Sequence, residues 1–403
     1  MIPFKIQVFF YRLFMLVLKL ATKILNFRQP ELYSGPGSSL QLCEAIARAG
    51  VQRLLVVSDA MLVKIGLLQP MLDKLKALGV HTVLYDGVQP DPTIEQIETG
   101  LALLKRERCT AILAIGGGSS MDAAKVIAAR ATNPHKIAWM AGLMRILFKP
   151  MPLYVVPTTA GTGSEVTIAA VVSDPASARK FAIMDPKLVP VGAALDGALM
   201  TGLPPAITAA TGMDALTHAV EAYISRNATP ETDADALEAT RLIMHNLPKV
   251  MADGSDLQAR QNMALASYKA GVAFTKAGVG YVHAISHKLG ALYHVPHGLA
   301  NAIVLPYVLE YSKPACTQRL AELAEAAGLK RGGESADRLA DAFIGHIRSL
   351  NAAFKIPAKV DKLKADDIPA VVDSAIREAR WTYAVPRYMD RADCERVVRQ
   401  LLA

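Results

Sequence analysis

Between about residues 30 and 200 the chain alternates short apolar runs with stretches of helical periodicity, and no other feature narrows its fold as far. Arg53 to Val57, His81 to Tyr85, Ala111 to Ile115 and Leu153 to Val156 read as strands. Ile65 to Leu78 and Ile94 to Arg106 read as helices between them. Strand, helix, strand is βαβ order, and it requires a parallel sheet covered by helices, because parallel neighbours can be joined only by a crossover. After Leu203-Pro204-Pro205 the β-like runs nearly vanish, and Ala-, Leu- and Glu-rich stretches such as Ala209 to Ile224 and Ala234 to His245 follow. A chain of 403 residues exceeds one ordinary core. The expected division is a segment at 1–28, an α/β domain with a parallel sheet at 29–204 and an all-α domain at 205–403.

Two loops of the α/β part carry a ligand signal. Ala111 to Ile115 runs into Gly116-Gly117-Gly118-Ser119-Ser120-Met121-Asp122, a buried strand, a glycine turn and a helix start. Free N–H groups and the helix dipole attract phosphate there, and glycine lets the backbone come close. The spacing is not GxGxxG, and a glycine triplet alone also suits a plain tight turn. The second loop, Pro157-Thr158-Thr159-Ala160-Gly161-Thr162-Gly163-Ser164-Glu165, follows another apolar strand. Two such loops at one end of a sheet suit the phosphates and sugar of a nucleotide. Asp59, ending the run Val56-Val57-Ser58-Asp59, reads equally as a ribose ligand and as a helix N-cap.

The helical half carries a metal signal. In Gly212-Met213-Asp214-Ala215-Leu216-Thr217-His218, the i, i+4 spacing puts Asp214 and His218 on one helix face, where both can reach one ion. His283 and His287 repeat that spacing, and Pro296-His297-Gly298 adds a further imidazole. A lone helical histidine is ordinarily a satisfied, partly buried residue. Here four of nine histidines fall between His283 and His297, beside small and apolar residues. Three imidazoles and one carboxylate form a divalent transition-metal set.

Composition excludes other classes. Hydrophobic residues make up 52% and charged residues 20%, a globular profile. The net charge of +8 does not point to nucleic acid, because no basic stripe or recognition module lies in the body of the chain. Part of the excess sits in Lys5, Arg12, Lys19, Lys23 and Arg28, with no acidic residue among them. Cys43, Cys109, Cys316 and Cys394 lie far apart without a CxxC, as reduced thiols of a cytoplasmic protein do.

The segments GGGSSMDAAK from Gly116, PTTAGTGSE from Pro157, GMDALTHAVEAY from Gly212 and HAISHKLGALYHVPHGLANAIVLP from His283 together resemble the iron-containing, or group III, alcohol dehydrogenases. The resemblance implies a dinucleotide-binding domain followed by a helical metal-binding domain, and Asp214, His218, His283 and His297 as metal ligands. It places His287 near the nicotinamide as a catalytic histidine. Gly117, Gly118, Ser119 and Asp122 match the cofactor loop, Thr158, Thr159 and Thr162 the second nucleotide loop, and Lys180 a cofactor-contacting lysine. Asp59 matches the position tied to NAD rather than NADP. Fe2+ is the implied metal, with Zn2+ a strong competitor under the Irving–Williams order. The implied reaction moves a hydride between an alcohol/aldehyde pair and NAD, the metal acting as Lewis acid and His287 as proton relay. A homo-oligomer is implied as well. The alternatives are a sugar-phosphate cyclase of the dehydroquinate synthase type, which calls for more basic residues than surround His283 to Leu292, and an inactive membrane-associated scaffold.

Residues 1–28 have no counterpart in shorter family members. Lys5, Arg12, Lys19 and Lys23 fall within an arc of roughly 40° on a helix, and Phe9, Phe10, Leu13, Phe14, Leu16, Val17, Leu18, Leu20, Ile24 and Leu25 occupy the rest. Such a helix suits the headgroup region of an anionic membrane, on the inner face of the cell membrane. It equally suits packing on the body or on a second subunit. A membrane location would favour a medium- or long-chain aliphatic substrate.

Overall fold

The computed structural model describes residues 3–22, 28–177 and 179–403. They form two compact units, one of residues 28–202 and one that joins helix α1 (Phe4–Thr22) to residues 203–403.

The first unit is built on a six-stranded sheet of β1 (Glu31–Ser34), β2 (Arg53–Val57), β3 (His81–Tyr85), β4 (Ala111–Gly116), β6 (Leu153–Pro157) and β9 (Gly192–Leu195). These strands are parallel and ordered β1-β9-β6-β4-β2-β3. Alternation decides what covers each face. Leu54 and Val56 of β2, with Leu113 and Ile115 of β4, pack against α2 (Ser38–Arg48) and α4 (Gln69–Ala77). Leu55 and Val57, with Ile112 and Ala114, pack against α5 (Ile94–Arg106) and α6 (Gly118–Thr132). Both faces being buried explains why these strands read as continuous apolar runs. A side sheet of β5 (Gly142–Leu143), β8 (Arg179–Met184) and β7 (Ala169–Asp174), with β7 and β8 antiparallel, carries little alternation that the sequence pattern could reveal.

The helix expected over Ile65 to Leu78 is instead shorter, running from Gln69 to Ala77. A short α3 (Ala60–Lys64) ends at Ile65, Gly66 takes a positive φ of 74°, and α4 begins afresh with Pro70 in its first turn. By contrast, α5 starts where Thr93 and Gln96 form a reciprocal capping box.

The second unit is helical: α7 (Pro205–Ile224), α8 (Pro230–Ala252), α9 (Leu257–Ala277), α10 (Tyr281–Tyr293), α11 (His297–Ala326), α12 (Ala336–Ala353), α13 (Ile368–Thr382) and α14 (Arg391–Arg399). Helix α7 is buried along almost its whole length, and Ala219, Ala239 and Ala270 let α7, α8 and α9 approach one another closely. Helix α11 bends at Cys316, two residues after Pro314.

Helix α1 packs on α13 through Tyr11 and Phe14, whose rings meet Trp381 edge-on at 4.7 and 5.4 Å. Tyr11 and Met15 are buried, while Phe9, Phe10, Leu13, Leu16 and Val17 are exposed. The expectation of one outward basic stripe is corrected at Lys19. Its Nζ turns inward and donates to the carbonyls of Arg226 and Ala228, just past the C-terminus of α7, where carbonyls lack helical partners. Lys5 and Arg12 remain exposed. Lys23, Ile24 and Leu25 lie outside the described residues, as do the side chains of Leu18 and Leu20. Among the described residues no helix is long and apolar enough to cross a membrane.

Candidate metal centre and nucleotide loops

In the helical unit, Asp214 and His218 project from one face of α7, His283 from the first turn of α10 and His297 from the first residue of α11. Each offers a donor atom, and the four donors all lie within 4.8 Å of one another. The close start of α11 makes this convergence feasible. A side chain at Gly298 would place its Cβ 2.4 Å from the Ala210 carbonyl oxygen, so only glycine lets α11 begin against α7 and bring His297 to Asp214. His297 Nε2 lies 3.7 Å from Asp214 Oδ1. Asp214, His218 and His283 are buried, and the His297 side chain is 37% exposed, so the cluster opens on one side.

The surroundings favour a neutral imidazole at His283. Burial, with His218, His297 and His287 nearby, holds His283 well below the usual histidine range, which keeps its lone pair available. Glu221, buried on α7, accepts from His283 Nδ1 at 2.6 Å and from the Val282 N–H at 2.8 Å. That leaves Nε2 of His283 as the donor towards the cluster. Glu221 therefore orients the His283 ring and accepts from the first turn of α10. Burial pushes its carboxyl up to about 8, against three backbone N–H groups that favour the anion.

Asn301, one turn along α11 from His297, was not anticipated. Its Nδ2 lies 2.7 Å from Asp214 Oδ1, 3.1 Å from His283 Nε2 and 3.2 Å from His297 Nε2, and its Oδ1 is buried without a hydrogen-bond partner. Three lone pairs converging on one amide, beside an orphaned oxygen, are the polar surroundings that a divalent cation satisfies. The donor set fits such an ion. His287 is adjacent, its ring stacked 5.4 Å from that of His297. Its Nδ1 meets Glu378 at 2.8 Å, and the Tyr383 hydroxyl donates to the same carboxylate oxygen at 2.5 Å. Glu378 and Tyr383 lie about ninety residues further on, beyond any local pattern. His294 closes α10 in the left-handed conformation and takes no part.

In the α/β unit the chain order reverses between β2 and β4, the position at which open α/β sheets bind ligands outside their carboxyl ends. Ser58 and Asp59 follow β2, the glycines follow β4, and Thr158 follows its neighbour β6. Helix α6 has Gly117 as its N-cap residue and no side-chain cap, so its first N–H groups are left to another acceptor. The two loops touch: a Cβ at Gly118 would come 2.8 Å from Thr162 Cγ2, and one at Gly117 would come 3.5 Å from Thr159 Oγ1. This cradle fits a pyrophosphate that needs close backbone approach.

The remaining residues divide by role. Asp122 uses one oxygen on the Ser164 hydroxyl at 2.8 Å and the other on the Val171 N–H at 3.0 Å, so it braces the second loop. Asp59 caps α3, its Oδ1 accepting from Met61 and Leu62 at 3.0 Å each. Lys180 pairs with Asp91 at 2.5 Å, and the Asp91 N–H donates to Ser119 Oγ at 3.3 Å, which ties β8 to the glycine loop. Asp91, at a positive φ of 58°, had no sequence signal.

Comparison with known proteins places these features in context. Residues 29–197 match the family "Iron-containing alcohol dehydrogenase" and residues 208–402 match "Fe-containing alcohol dehydrogenase family, C-terminal". The chain is 36% identical to an NAD-dependent methanol dehydrogenase of Bacillus methanolicus, over 93% of this chain and 99% of that protein. It is 40% identical to a 1,3-propanediol dehydrogenase of Klebsiella pneumoniae, over 93% and 96%. The crystal structure of a 1,3-propanediol oxidoreductase superposes with a TM-score of 0.90 at 39% identity, covering 93% of this chain and 98% of that one.

Proposed function

This chain belongs to the iron-containing alcohol dehydrogenase family, an NAD- and Fe2+-dependent oxidoreductase of alcohol/aldehyde pairs, and from that premise we propose how its residues divide the work. Asp214, His218, His283 and His297 hold the metal, and the observation carrying this reading is the mutual approach of their four donor atoms. Residues 205–403 thus form the metal and catalytic part and 29–204 the nucleotide part. Fe2+, or Zn2+ in its place, supplies Lewis acidity at the alcohol oxygen, and NAD supplies the hydride acceptor.

The chain's own groups do the rest. Glu378 fixes the His287 ring through Nδ1 and leaves Nε2 to take the substrate's proton, a task suited to imidazole. Burial and the neighbouring Glu378 keep the Tyr383 hydroxyl protonated, so it donates to Glu378 and steadies the carboxylate. Gly117, Gly118 and Ser119 with the α6 N-terminus hold the pyrophosphate, and Thr158, Thr159 and Thr162 line its other side. Asp122 supports these loops from behind, Lys180 stands at their edge, and Asp59 faces the ribose and disfavours a 2′-phosphate.

The exposed apolar face of α1, carrying Ile6, Phe9, Phe10, Leu13, Leu16 and Val17 with Lys5 and Arg12, supports peripheral contact with the inner face of a membrane from the cytoplasm. That contact brings the enzyme to dissolved lipophilic alcohols, so the substrate is an aliphatic alcohol of medium or long chain. The enzyme works as a homo-oligomer, a dimer at least. The test is a panel of primary alcohols and aldehydes of increasing length, assayed with NAD and NADP after metal reconstitution. kcat/KM should rise with chain length and favour NAD. A maximum at methanol or ethanol overturns the chain-length reading, and turnover without any divalent metal overturns the ligand set.

A further inference from the structure

The α/β unit carries a second apolar surface, between the two nucleotide loops in sequence and unlike them in chemistry. Between α6 and β6, Ile137, Met140 and Ile146 are buried anchors, while Trp139, Leu143, Met144, Leu147 and Phe148 point outward, each between 45% and 57% exposed. Five large apolar side chains in ten residues are more than scattered surface hydrophobics. Their backbone is held firmly. The buried Asn133 accepts the N–H groups of Leu147 and Phe148 at 3.0 and 2.8 Å and donates to the Phe148 carbonyl at 3.1 Å. The buried Asp185 accepts the Ile146 N–H at 3.2 Å, and Lys187 donates to the Ile146 carbonyl at 3.1 Å. The Met144 N–H donates to the Met184 carbonyl at 2.8 Å.

A loop whose backbone at Met144, Ile146, Leu147 and Phe148 is bonded internally, with its apolar side chains left outside, loses less when water is removed from it. The exposed charges of the loop itself are of one sign, the neighbouring Asp185 being buried and paired with Lys187. No Asp or Glu occurs between Asp122 and Glu165, and Lys136, Arg145 and Lys149 are exposed among the apolar residues. Beside the loop, Arg28, Lys149 and Lys187 line one cavity.

We propose that residues 136–149 form a second membrane-contact surface, with Trp139, Leu143, Leu147 and Phe148 entering the headgroup boundary of a bilayer that carries anionic phospholipid. Trp at headgroup level, aliphatic groups below it and Lys or Arg against the phosphates match the layering of such an interface. Trp, Phe, Met and Arg also suit a protein interface, and it is the exposed Lys136, Arg145 and Lys149 beside them that favour an anionic bilayer over a second copy of the chain. The proposal belongs to the same membrane reading as that of α1 but stands on a different unit of the chain.

The chain has two tryptophans, so Trp381→Phe leaves Trp139 as the sole reporter in the full-length protein. That protein is mixed with vesicles of phosphatidylcholine alone, or of phosphatidylcholine with phosphatidylglycerol, at low and high salt, with and without brominated lipid. We expect co-sedimentation with the phosphatidylglycerol vesicles at low salt and quenching of Trp139 by the brominated lipid. Leu147→Ser with Phe148→Ser should lower the vesicle affinity by about tenfold or more. Phe9→Ser with Phe10→Ser on α1 should weaken binding while Trp139 of the bound fraction stays quenched. Co-sedimentation without Trp139 quenching overturns this proposal and leaves α1 as the contact. Absence of co-sedimentation overturns both. A Trp139 blue shift that follows protein concentration without vesicles, and a dimer that the loop variant abolishes, would show that a second copy covers the loop.

Discussion

On the assignment proposed above, the metal centre and the nucleotide loops recognise their ligands by opposite means. Around α10 and α11 the contacts are side chains, brought from α7, α10 and α11 over some eighty residues of sequence and oriented by Glu221 from behind. At the ends of β4 and β6 they are mainly backbone, and the side chains that matter are those that are absent, at Gly117 and Gly118. A cation needs lone pairs, which only particular side chains supply in a dry pocket. A pyrophosphate needs N–H groups, which every residue but proline owns, so what must be specified there is room to approach. Substitution should therefore remove function from the first site by deleting a group and from the second by adding one.

The largest effect is expected at the first site. His297→Ala should strip the metal and lower turnover by about a thousandfold or more, since Lewis-acid polarisation contributes several kcal/mol. NAD binding should be unchanged. Elemental analysis beside a nucleotide titration checks this, and a metal-free variant with full turnover would break the comparison. Gly118→Val makes the opposite change. Its side chain would collide with Thr162, so KM for NAD should rise by roughly ten- to a hundredfold while metal content stays that of the wild type. Loss of metal in this variant would mean that the two sites are not separable.

Glu221→Gln tests the oriented ligand. It keeps the size of the side chain but weakens the acceptor for His283 Nδ1, and metal affinity should fall by about ten- to a hundredfold, read by competition with a chelator. The smallest effect is expected for Asp59→Gly. Glycine is a tolerated N-cap, so the cost in stability is only about a few tenths of a kcal/mol. The preference for NAD over NADP should nevertheless narrow by about tenfold. A variant that loses stability and keeps its preference would make Asp59 a cap alone.

What was legible in the chain follows the same contrast. Asp214 and His218 could be paired from their spacing because an α-helix fixes which residues share a face. The glycine triplet after an apolar run likewise marks a strand turning into a helix. Asn301, Glu378 and Tyr383 gave no such signal, since a single asparagine, carboxylate or tyrosine on or beside a helix carries no pattern that marks its partner. Only the packing of α11 against α7, and of α13 against α10, gives them their partners. Lys19 is the reverse case. Its periodicity placed it in a basic stripe, yet its Nζ donates to the carbonyls of Arg226 and Ala228 in the turn after α7.

Local periodicity and residue chemistry by themselves determined the βαβ order and the helical second half, and marked the glycine- and threonine-rich loops and the pairs Asp214/His218 and His283/His287 as candidates, because each is set by neighbours within a few residues. Tertiary structure alone decided that β2 and β4 stand at the point of reversal, that α11 starts hard against α7, and that α1 turns Tyr11, Met15 and Lys19 inward. It also decided that Trp139, Leu147 and Phe148 stay outside a loop whose backbone is fastened within. Those outcomes depend on which surfaces meet across long separations in sequence, and an apolar side chain carries no mark of whether its neighbour will be protein or something else.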